Sequence, residues 1–349
     1  MLRILSDLPQ SVRCALRQPP GAICGLAEPV PRRLLAQVAW VHAALPRTNR
    51  ARTRLRRWIT ASVLCAAAGA SQALTVFACE PEWAALVRQL APQAQVTSAT
   101  HARQDPHHIE ARPSLIAALR RADLAVCTGA SLESGWLPML QQRAGNGRVQ
   151  DGAPGMFYAA DHVTLIDPRP PGTPWDGDVH AEGNPHVHLD PERLLAIAQA
   201  LSQRLQQLEP ALAGEHAARW QAFERDWRAR IAGWRERAAP LRGVQVAAQH
   251  TGYAYLWHWL GVTQAADLEP KPGMPPTPGH LQRVLQATQG VPLRAVVVAL
   301  YQDARPAHWL AQQHGHTRVL QLPSTVTDDA QAGDLAALFD LLIGQLLPP

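Results

Sequence analysis

Residues 74–98 read LTVFACEPEWAALVRQLAPQAQVTS, and their pattern indicates the fold class. An apolar, strand-like run (75–79) is followed by a helical segment (82–90) and then by a second short strand-like run (94–98). Strands that alternate with helices are typical of parallel sheets, because each crossover helix returns the chain to the same end of the sheet. The stretch therefore predicts the start of a doubly wound α/β lobe.

The same alternation occurs twice along the chain. It continues after residue 98 with a helix, a strand and a helix: 114–121, 122–127 and 137–143. A loop-rich segment, 152–185, follows, and a second series begins at residue 244 with these strands and helices: 244–248, 253–260, 281–287, 294–300, 307–313, 318–322 and 335–347. The sequence therefore predicts two α/β lobes, with ligands bound where the carboxyl ends of the strands face a cleft.

Two helices are predicted between these series. Asp190-Pro191 opens the first, 192–208, because proline suits the first turn of a helix. The second runs from Pro210 to about Arg237 and carries one apolar stripe at spacings of 3, 4, 4 and 3: Trp220, Phe223, Trp227, Ile231 and Trp234. We therefore expect an N-terminal lobe at 74–208, a linking helix at 209–239 and a C-terminal lobe at 240–349.

The excess of positive over negative charge is confined to the first 73 residues. This segment holds eleven arginines and two acidic residues, whereas the remaining 276 residues hold 22 basic and 26 acidic side chains. The net charge of +5 therefore does not indicate a phosphate-binding surface, and we expect no nucleic-acid partner.

The same leader has the organisation of a secretory signal peptide. Arginines at 52–57 precede an apolar run at 59–70, which is too short to span a bilayer, and Ser71-Gln72-Ala73 matches a cleavage site. We expect cleavage after Ala73 and a periplasmic mature protein. Residues 1–50 resemble no export element, so we expect the true translation start to lie downstream of Met1.

The cysteines bear on anchoring and on redox state. Leu64 precedes Cys65 where a lipid-attachment signal needs a small residue, so no lipid anchor is expected. Cys79 and Cys127 follow strand-like runs and remain after cleavage. In an oxidising compartment they form either a disulfide or two buried thiols, and the sequence leaves both alternatives open.

Three segments place a histidine just after a strand or at a junction between a loop and a helix. These histidines are His107, His186 and His250, and the first two follow a proline that keeps the preceding backbone extended. Three imidazoles that meet across a cleft suit Zn²⁺, which accepts nitrogen ligands in tetrahedral geometry. Their spacing alone is a weak signal, since no two of these histidines share a helix.

The motifs around these histidines resemble a known family. PHHIEARPS (106–114), NPHVHLDP (184–191) and QHTGYAYLWHWLGV (249–262) are similar, in this order, to motifs of the metal-specific substrate-binding proteins of ABC importers, especially the zinc binders. The resemblance covers residues 74–349. It implies two α/β lobes joined by a rigid helix, with metal in the cleft between them.

The resemblance also implies the ligands, the role and the partners of the protein. His107, His186 and His250 would ligate Zn²⁺, although other divalent transition metals suit the same ligands. The chain would be a monomeric, non-enzymatic carrier that delivers metal to an inner-membrane permease with a cytoplasmic ATPase.

The fourth ligand departs from the family pattern. Members commonly supply a carboxylate from the C-terminal lobe, but the matching positions fall at about Leu300 and Ser324. The alternatives are water or a group from the loop WDGDVH (175–180), where His180 is the candidate. His188 faces away from His186 if the segment is extended, so we expect it behind the ligands or at the surface.

Two other functions remain open from the residues alone. A zinc-dependent hydrolase could use three histidines and a water, with Glu110 as a base or as a partner that orients a ligand. The chain has no HExxH motif, however, and only 164 residues remain from His186, too few for a barrel metallohydrolase. The other alternative is a free-standing periplasmic metal chaperone.

The segment Glu269-Pro270-Lys271-Pro272-Gly273 is expected to form a structural turn near the cleft.

Overall fold

The computed structural model describes residues 73–169, 178, 180–315 and 317–348. The predicted signal peptide, and with it nearly all of the leader 1–73, lies outside the described residues, as does most of the loop 175–180. No helix in the described part of the chain is long and apolar enough to cross a membrane.

The first lobe contains a four-stranded parallel sheet with the spatial order β2-β1-β3-β4. Its strands are β1 (Thr75–Ala78), β2 (Gln95–Ser98), β3 (Leu124–Cys127) and β4 (Met156–Tyr158). The connecting helices are α1 (Pro81–Leu90), α2 (Pro113–Arg121) and α3 (Leu137–Ala144). Each of these helices has proline in its first turn, where the missing N–H costs no hydrogen bond.

The second lobe repeats the architecture with the order β6-β5-β7-β8, again entirely parallel. Its strands are β5 (Gln245–Ala248), β6 (Thr263–Asp267), β7 (Leu293–Ala299) and β8 (Arg318–Leu322). Its helices are α6 (Ala254–Leu260), α7 (Pro278–Ala287), α8 (Arg305–Gln313) and α9 (Leu335–Leu346). The predicted pair of α/β lobes is confirmed.

Two strands of these sheets were not predicted. β4 lies inside the segment 152–185, which was interpreted as loop, and has only three residues. β6 has the sequence TQAAD, which is neither strongly apolar nor buried along its length. Both lie at the edge of a sheet, where each pairs with one neighbouring strand. This pairing forms the strand although its own sequence lacks a strong hydrophobic pattern.

Helices α4 (Pro191–Leu208) and α5 (Ala213–Arg237) follow the first sheet. The Asp190 side chain accepts hydrogen bonds from the first backbone N–H groups of α4, as the Asp-Pro pair predicts. α5 begins at Ala213, three residues after Pro210, because residues 210–212 form a 3₁₀ turn. Its tryptophans reach both neighbours, since Trp227 Nε1 donates to Pro191 O of α4 (2.8 Å) and Trp234 Nε1 to Asp340 of α9 (2.9 Å).

The apolar core crosses from one lobe to the other. One continuous cluster includes Val76 of β1, Trp227 of α5, Val246 of β5 and Phe339 of α9, whereas the opposite faces of the two sheets have separate, smaller clusters. This shared core therefore holds the two sheets together.

Cys79 and Cys127 form a disulfide, which decides between the two alternatives left by the sequence. Their Cα atoms are 4.8 Å apart because β1 and β3 are neighbours in register, with Ala78 opposite Val126. The bond links the carboxyl ends of two central strands of the first lobe.

Candidate metal centre

The structure brings His107, His186 and His250 together at the carboxyl ends of the strands. One ring nitrogen from each lies within 4.8 Å of the other two. The ring centroids are 5.4–5.6 Å apart, and each side chain is at most 5% exposed. His107 and His186 belong to segments of the first lobe and His250 follows β5 of the second, so the group spans both lobes.

Asp105 orients His107. Its Oδ1 atom accepts a hydrogen bond from His107 N (3.0 Å) and lies 2.7 Å from His107 Nδ1. The preceding carbonyl, Pro106 O, accepts from Trp136 Nε1 at 2.9 Å. A carboxylate on Nδ1 leaves Nε2 as the ligating nitrogen and makes the ring more basic toward a metal.

His250 is held in an unusual backbone conformation. Its φ of +69° lies in the left-handed region, which costs a residue other than glycine about 1–3 kcal/mol unless the surroundings determine it. Asp267 Oδ1 accepts from His250 N (3.0 Å) and from Glu269 N (2.8 Å), and Glu269 Oε2 lies 3.0 Å from His250 Nδ1. These contacts maintain the conformation and direct Nε2 toward the other two histidines.

His186 is anchored through its neighbour Asn184. Asn184 Oδ1 accepts from His186 N (3.0 Å), and Asn184 Nδ2 donates to Thr251 O (2.9 Å) beside His250. The Nε2 atoms of His186 and His250 are buried and have no hydrogen-bond partner among the described residues. Two buried, unpartnered imidazole nitrogens that face a third histidine have the chemistry of metal ligands.

The histidine pKa values differ according to their surroundings. Burial, together with the neighbouring imidazoles, lowers the pKa of His186 well below its usual value. Burial and the same neighbours lower the pKa of His180 to about 3. Burial opposes the charged form of His250 as well, but the Glu269 carboxylate outweighs it and raises the pKa of His250.

His180 lies beside the group without joining it. Its Nε2 is 3.2 Å from His107 Nε2, and the two ring centroids are 5.3 Å apart. Among the residues that the structure describes, the group within 4.8 Å contains only His107, His186 and His250. His180 is thus close enough to take part after a small displacement, and its role as a fourth ligand stays a prediction.

Some sequence expectations about nearby residues were wrong. Glu110 is exposed, and the carboxylate that contacts His107 belongs to Asp105. His188 is buried, which agrees with the first of its two expected places, behind the ligands, although residues 187–189 form a 3₁₀ turn and not an extended segment. Glu269 was interpreted as part of a structural turn, yet it contacts His250; its position in a loop after a strand was the available signal.

A cleft of about 530 Å³ reaches two of the three histidines. His107 and His250 line its inner end, and four carboxylates line its walls along with two arginines: Asp105, Asp178, Glu269, Asp303, Arg103 and Arg305. Arg305 is paired with Asp303, which leaves the inner cleft acidic and suited to attract a cation.

Comparisons with known proteins agree with this architecture. The family model of the periplasmic component A of the zinc-uptake complex matches residues 76–346. A comparison with curated sequences gives no match.

Three solved structures show the same fold. A crystal structure of ZnuA is 18% identical with a TM-score of 0.65, over 79% of this chain and 98% of that one. A Cd-bound periplasmic metal-binding protein from Candidatus Liberibacter asiaticus is 16% identical (TM-score 0.63; 79% and 100% covered). A mutant laminin-binding adhesin from Streptococcus agalactiae is 20% identical (TM-score 0.63; 78% and 100% covered).

The match of the family model to most of the chain confirms the resemblance stated above. Proteins of this family are periplasmic, metal-binding components of transport systems and are not catalytic, so the expectation that the chain is not an enzyme is confirmed. The chain belongs to the family of the periplasmic zinc-uptake complex component A.

Proposed function

We propose that the protein binds Zn²⁺ through His107, His186 and His250 and delivers it to an ABC permease of the inner membrane. The convergence of three buried imidazoles, two with unpartnered Nε2 atoms, carries this proposal. Binding without turnover agrees with the non-catalytic character of the family.

The preference for zinc rests on the chemistry of the ligands. The group is made of nitrogen atoms, whereas Mn²⁺ and Mg²⁺ prefer oxygen ligands. The solved relatives include Cd-bound and Mn-bound proteins, so the metal has to be measured for this chain. Cu²⁺ binds such a site at least as tightly as Zn²⁺ by intrinsic affinity, and zinc loading in the cell then depends on metal supply.

The fourth position is filled by water or by His180. The 3.2 Å separation of the His180 and His107 Nε2 atoms supports His180, because a metal between them would replace the contact between the two nitrogens.

We propose in addition that a signal peptide at about 52–73 directs export and is cleaved after Ala73. N-terminal sequencing of the periplasmic protein tests this, and a product that begins before residue 52 contradicts it.

Titration with zinc against a chelator of known affinity tests the binding site. We expect one tightly bound zinc per chain, and a strong loss of affinity after replacement of His107, His186 or His250 by alanine. His258→Ala is the matched control, because His258 lies in the same motif as His250 but is exposed on α6. Wild-type affinity in any of the three site variants contradicts the assignment.

Delivery is tested separately with the permease and its ATPase reconstituted in liposomes. Zinc transport should require the zinc-loaded protein, and a site variant should not support it. Transport that proceeds equally without the protein contradicts the proposed role.

A further inference from the structure

Four residues from distant parts of the chain form a buried polar group beside the three histidines, which we call the interlobe cluster: Glu82, His188, Ser324 and Thr325. Glu82 lies in α1 of the first lobe, and His188 lies two residues after His186. Ser324 and Thr325 follow β8 of the second lobe. Glu82 and His188 are only 2% and 4% exposed.

The contacts of the cluster join the two lobes. Glu82 Oε1 lies 3.1 Å from His188 Nδ1, and Glu82 Oε2 accepts a hydrogen bond from the Thr325 hydroxyl, 243 residues away. His188 Nε2 donates to Ser324 O at 2.7 Å. Glu82 Oε2 and His188 Nε2 are thus hydrogen-bonded across the lobes, whereas His188 Nδ1 lies within ion-pair distance of Glu82 Oε1 without making a hydrogen bond to any described residue.

This arrangement makes His188 unsuitable as a metal ligand. A carbonyl oxygen only accepts hydrogen bonds, so Nε2 must carry a hydrogen to contact Ser324 O. Nδ1 faces the carboxylate of Glu82 rather than the other histidines. Among the described residues, His188 is also absent from the group of ring nitrogens that lie within 4.8 Å of one another.

The interlobe contacts are favourable only when the lobes are held as they are here. Separation of the lobes would break the bonds from Thr325 to Glu82 and from His188 to Ser324. Polar groups at these buried positions are costly when unpaired, so partial separation that does not admit water is strongly disfavoured. The cluster thus stabilises one particular arrangement of the lobes.

The metal centre needs this same arrangement. His186 and His188 belong to one short segment, and both line a cavity that also includes Glu82 and His250. His250 comes from the second lobe, whereas His107 and His186 come from the first. The three ligating nitrogens therefore meet in the same arrangement of the lobes in which the interlobe contacts form.

We propose that Glu82 and His188 are positioning residues that hold the two lobes in the arrangement that binds metal. This inference rests on the proposed zinc-binding function. The apparent metal affinity of a protein falls in proportion to the fraction of molecules in the binding-competent arrangement. Loss of the cluster should therefore weaken binding without removing a ligand.

The test uses Glu82→Gln and the milder Thr325→Val, which removes only one donor. We expect Glu82→Gln to bind zinc about tenfold more weakly, a typical size for coupling between sites, with one ion per chain as in the wild type. Small-angle X-ray scattering of the metal-free variant should give a larger radius of gyration. The visible absorption of bound Co²⁺ should be unchanged, because the ligands are unchanged. Thr325→Val should shift affinity and scattering in the same direction by a smaller amount.

His216→Gln is the matched control. His216 is also a fully buried histidine paired with a glutamate, Glu209 (2.9 Å), but it lies in α5 away from the metal centre. This variant should lose stability while its zinc affinity and metal-free scattering stay at wild-type values.

Three results would overturn the inference. The first is wild-type zinc affinity and wild-type scattering in both Glu82→Gln and Thr325→Val. The second is a changed Co²⁺ spectrum in His188→Gln, which would make His188 a ligand. The third is an equal loss of affinity in the His216→Gln control. If the wild-type protein binds no transition metal, the proposed function fails, and the scattering of metal-free Thr325→Val still decides whether the cluster holds the lobes.

Discussion

Glu269 Oε2 lies 3.0 Å from His250 Nδ1, and the same oxygen accepts a hydrogen bond from Gly273 N at 2.9 Å. One buried carboxylate thus connects a candidate ligand to the loop at the mouth of the cleft. It sets which nitrogen of His250 faces the other histidines, and together with Asp267 and Asp105 it raises the pKa of His250 although burial acts to lower it.

Replacement of Glu269 by glutamine should weaken zinc binding by about 10- to 100-fold, the usual effect of removing a carboxylate that supports a ligating histidine. The amide keeps the volume of the side chain but loses the negative charge on Nδ1. Competition titration measures the change, with exposed Glu110→Gln as the control. Equal affinities for the wild type and Glu269→Gln would contradict the role of Glu269.

Replacement of His180 by alanine distinguishes the two candidates for the fourth position. A modest loss of zinc affinity, well below that of His250→Ala, is expected if His180 ligates after closing on His107. The X-ray absorption spectrum of the zinc complex should then lose one nitrogen scatterer. An unchanged spectrum and affinity would leave water as the fourth ligand.

The stability of the metal-free protein should depend on pH through Glu133. Burial raises the pKa of this carboxyl to about 7, although Thr128 N and Gly129 N donate to it at 2.5 and 3.0 Å. The folded state then holds a proton that the unfolded chain releases near pH 4.5, so this group's contribution to stability is present below pH 4.5 and is lost as the pH rises to about 7.

Thermal unfolding between pH 4.5 and 8 measures this effect. As the pH rises over this range, the melting temperature of the wild type should fall relative to that of Glu133→Gln. Each kcal/mol of lost stability corresponds to about 2–4 °C. Above the range, the difference between the two melting temperatures should change little. A constant difference between the two proteins across the range would contradict the prediction.

Removal of the disulfide should destabilise the first lobe. The bond between Cys79 and Cys127 closes a loop with a sequence separation of 48, for which about 2–4 kcal/mol of unfolding free energy is expected. Urea denaturation of Cys79→Ala/Cys127→Ala measures the loss. A reducing agent should lower the stability of the wild type and leave the double variant unchanged; a wild type whose stability does not change would show that the cysteines are not bonded.

The tryptophan stripe of α5 should contribute unequally to stability. Trp227 is 2% exposed, and its Nε1 donates to Pro191 O, so Trp227→Ala should cost about 3–5 kcal/mol. Trp220 lies at the edge of the core, and Trp220→Ala should cost clearly less. Equal losses in urea denaturation would mean that the packing of α5 differs from the one described.

The two α/β lobes and the three histidine motifs could be predicted from the sequence. Local patterns carry this information, because apolar runs, helical periodicity and proline positions act over a few residues. The edge strands β4 and β6 escaped prediction for the same reason, since pairing with a neighbouring strand forms them in the absence of a strong local pattern.

Most contacts between distant side chains could not be predicted and are known from the folded structure. Cys79 pairs with Cys127 across 48 residues, Glu269 reaches His250 across 19, and Thr325 reaches Glu82 across 243. Such contacts depend on the order and register of the strands and on the closeness of the two lobes. The residue types along the chain indicate which chemistry is available, but only the folded chain places Glu82 against His188 and Glu269 against His250, because no local pattern encodes a distance between segments that are far apart in sequence.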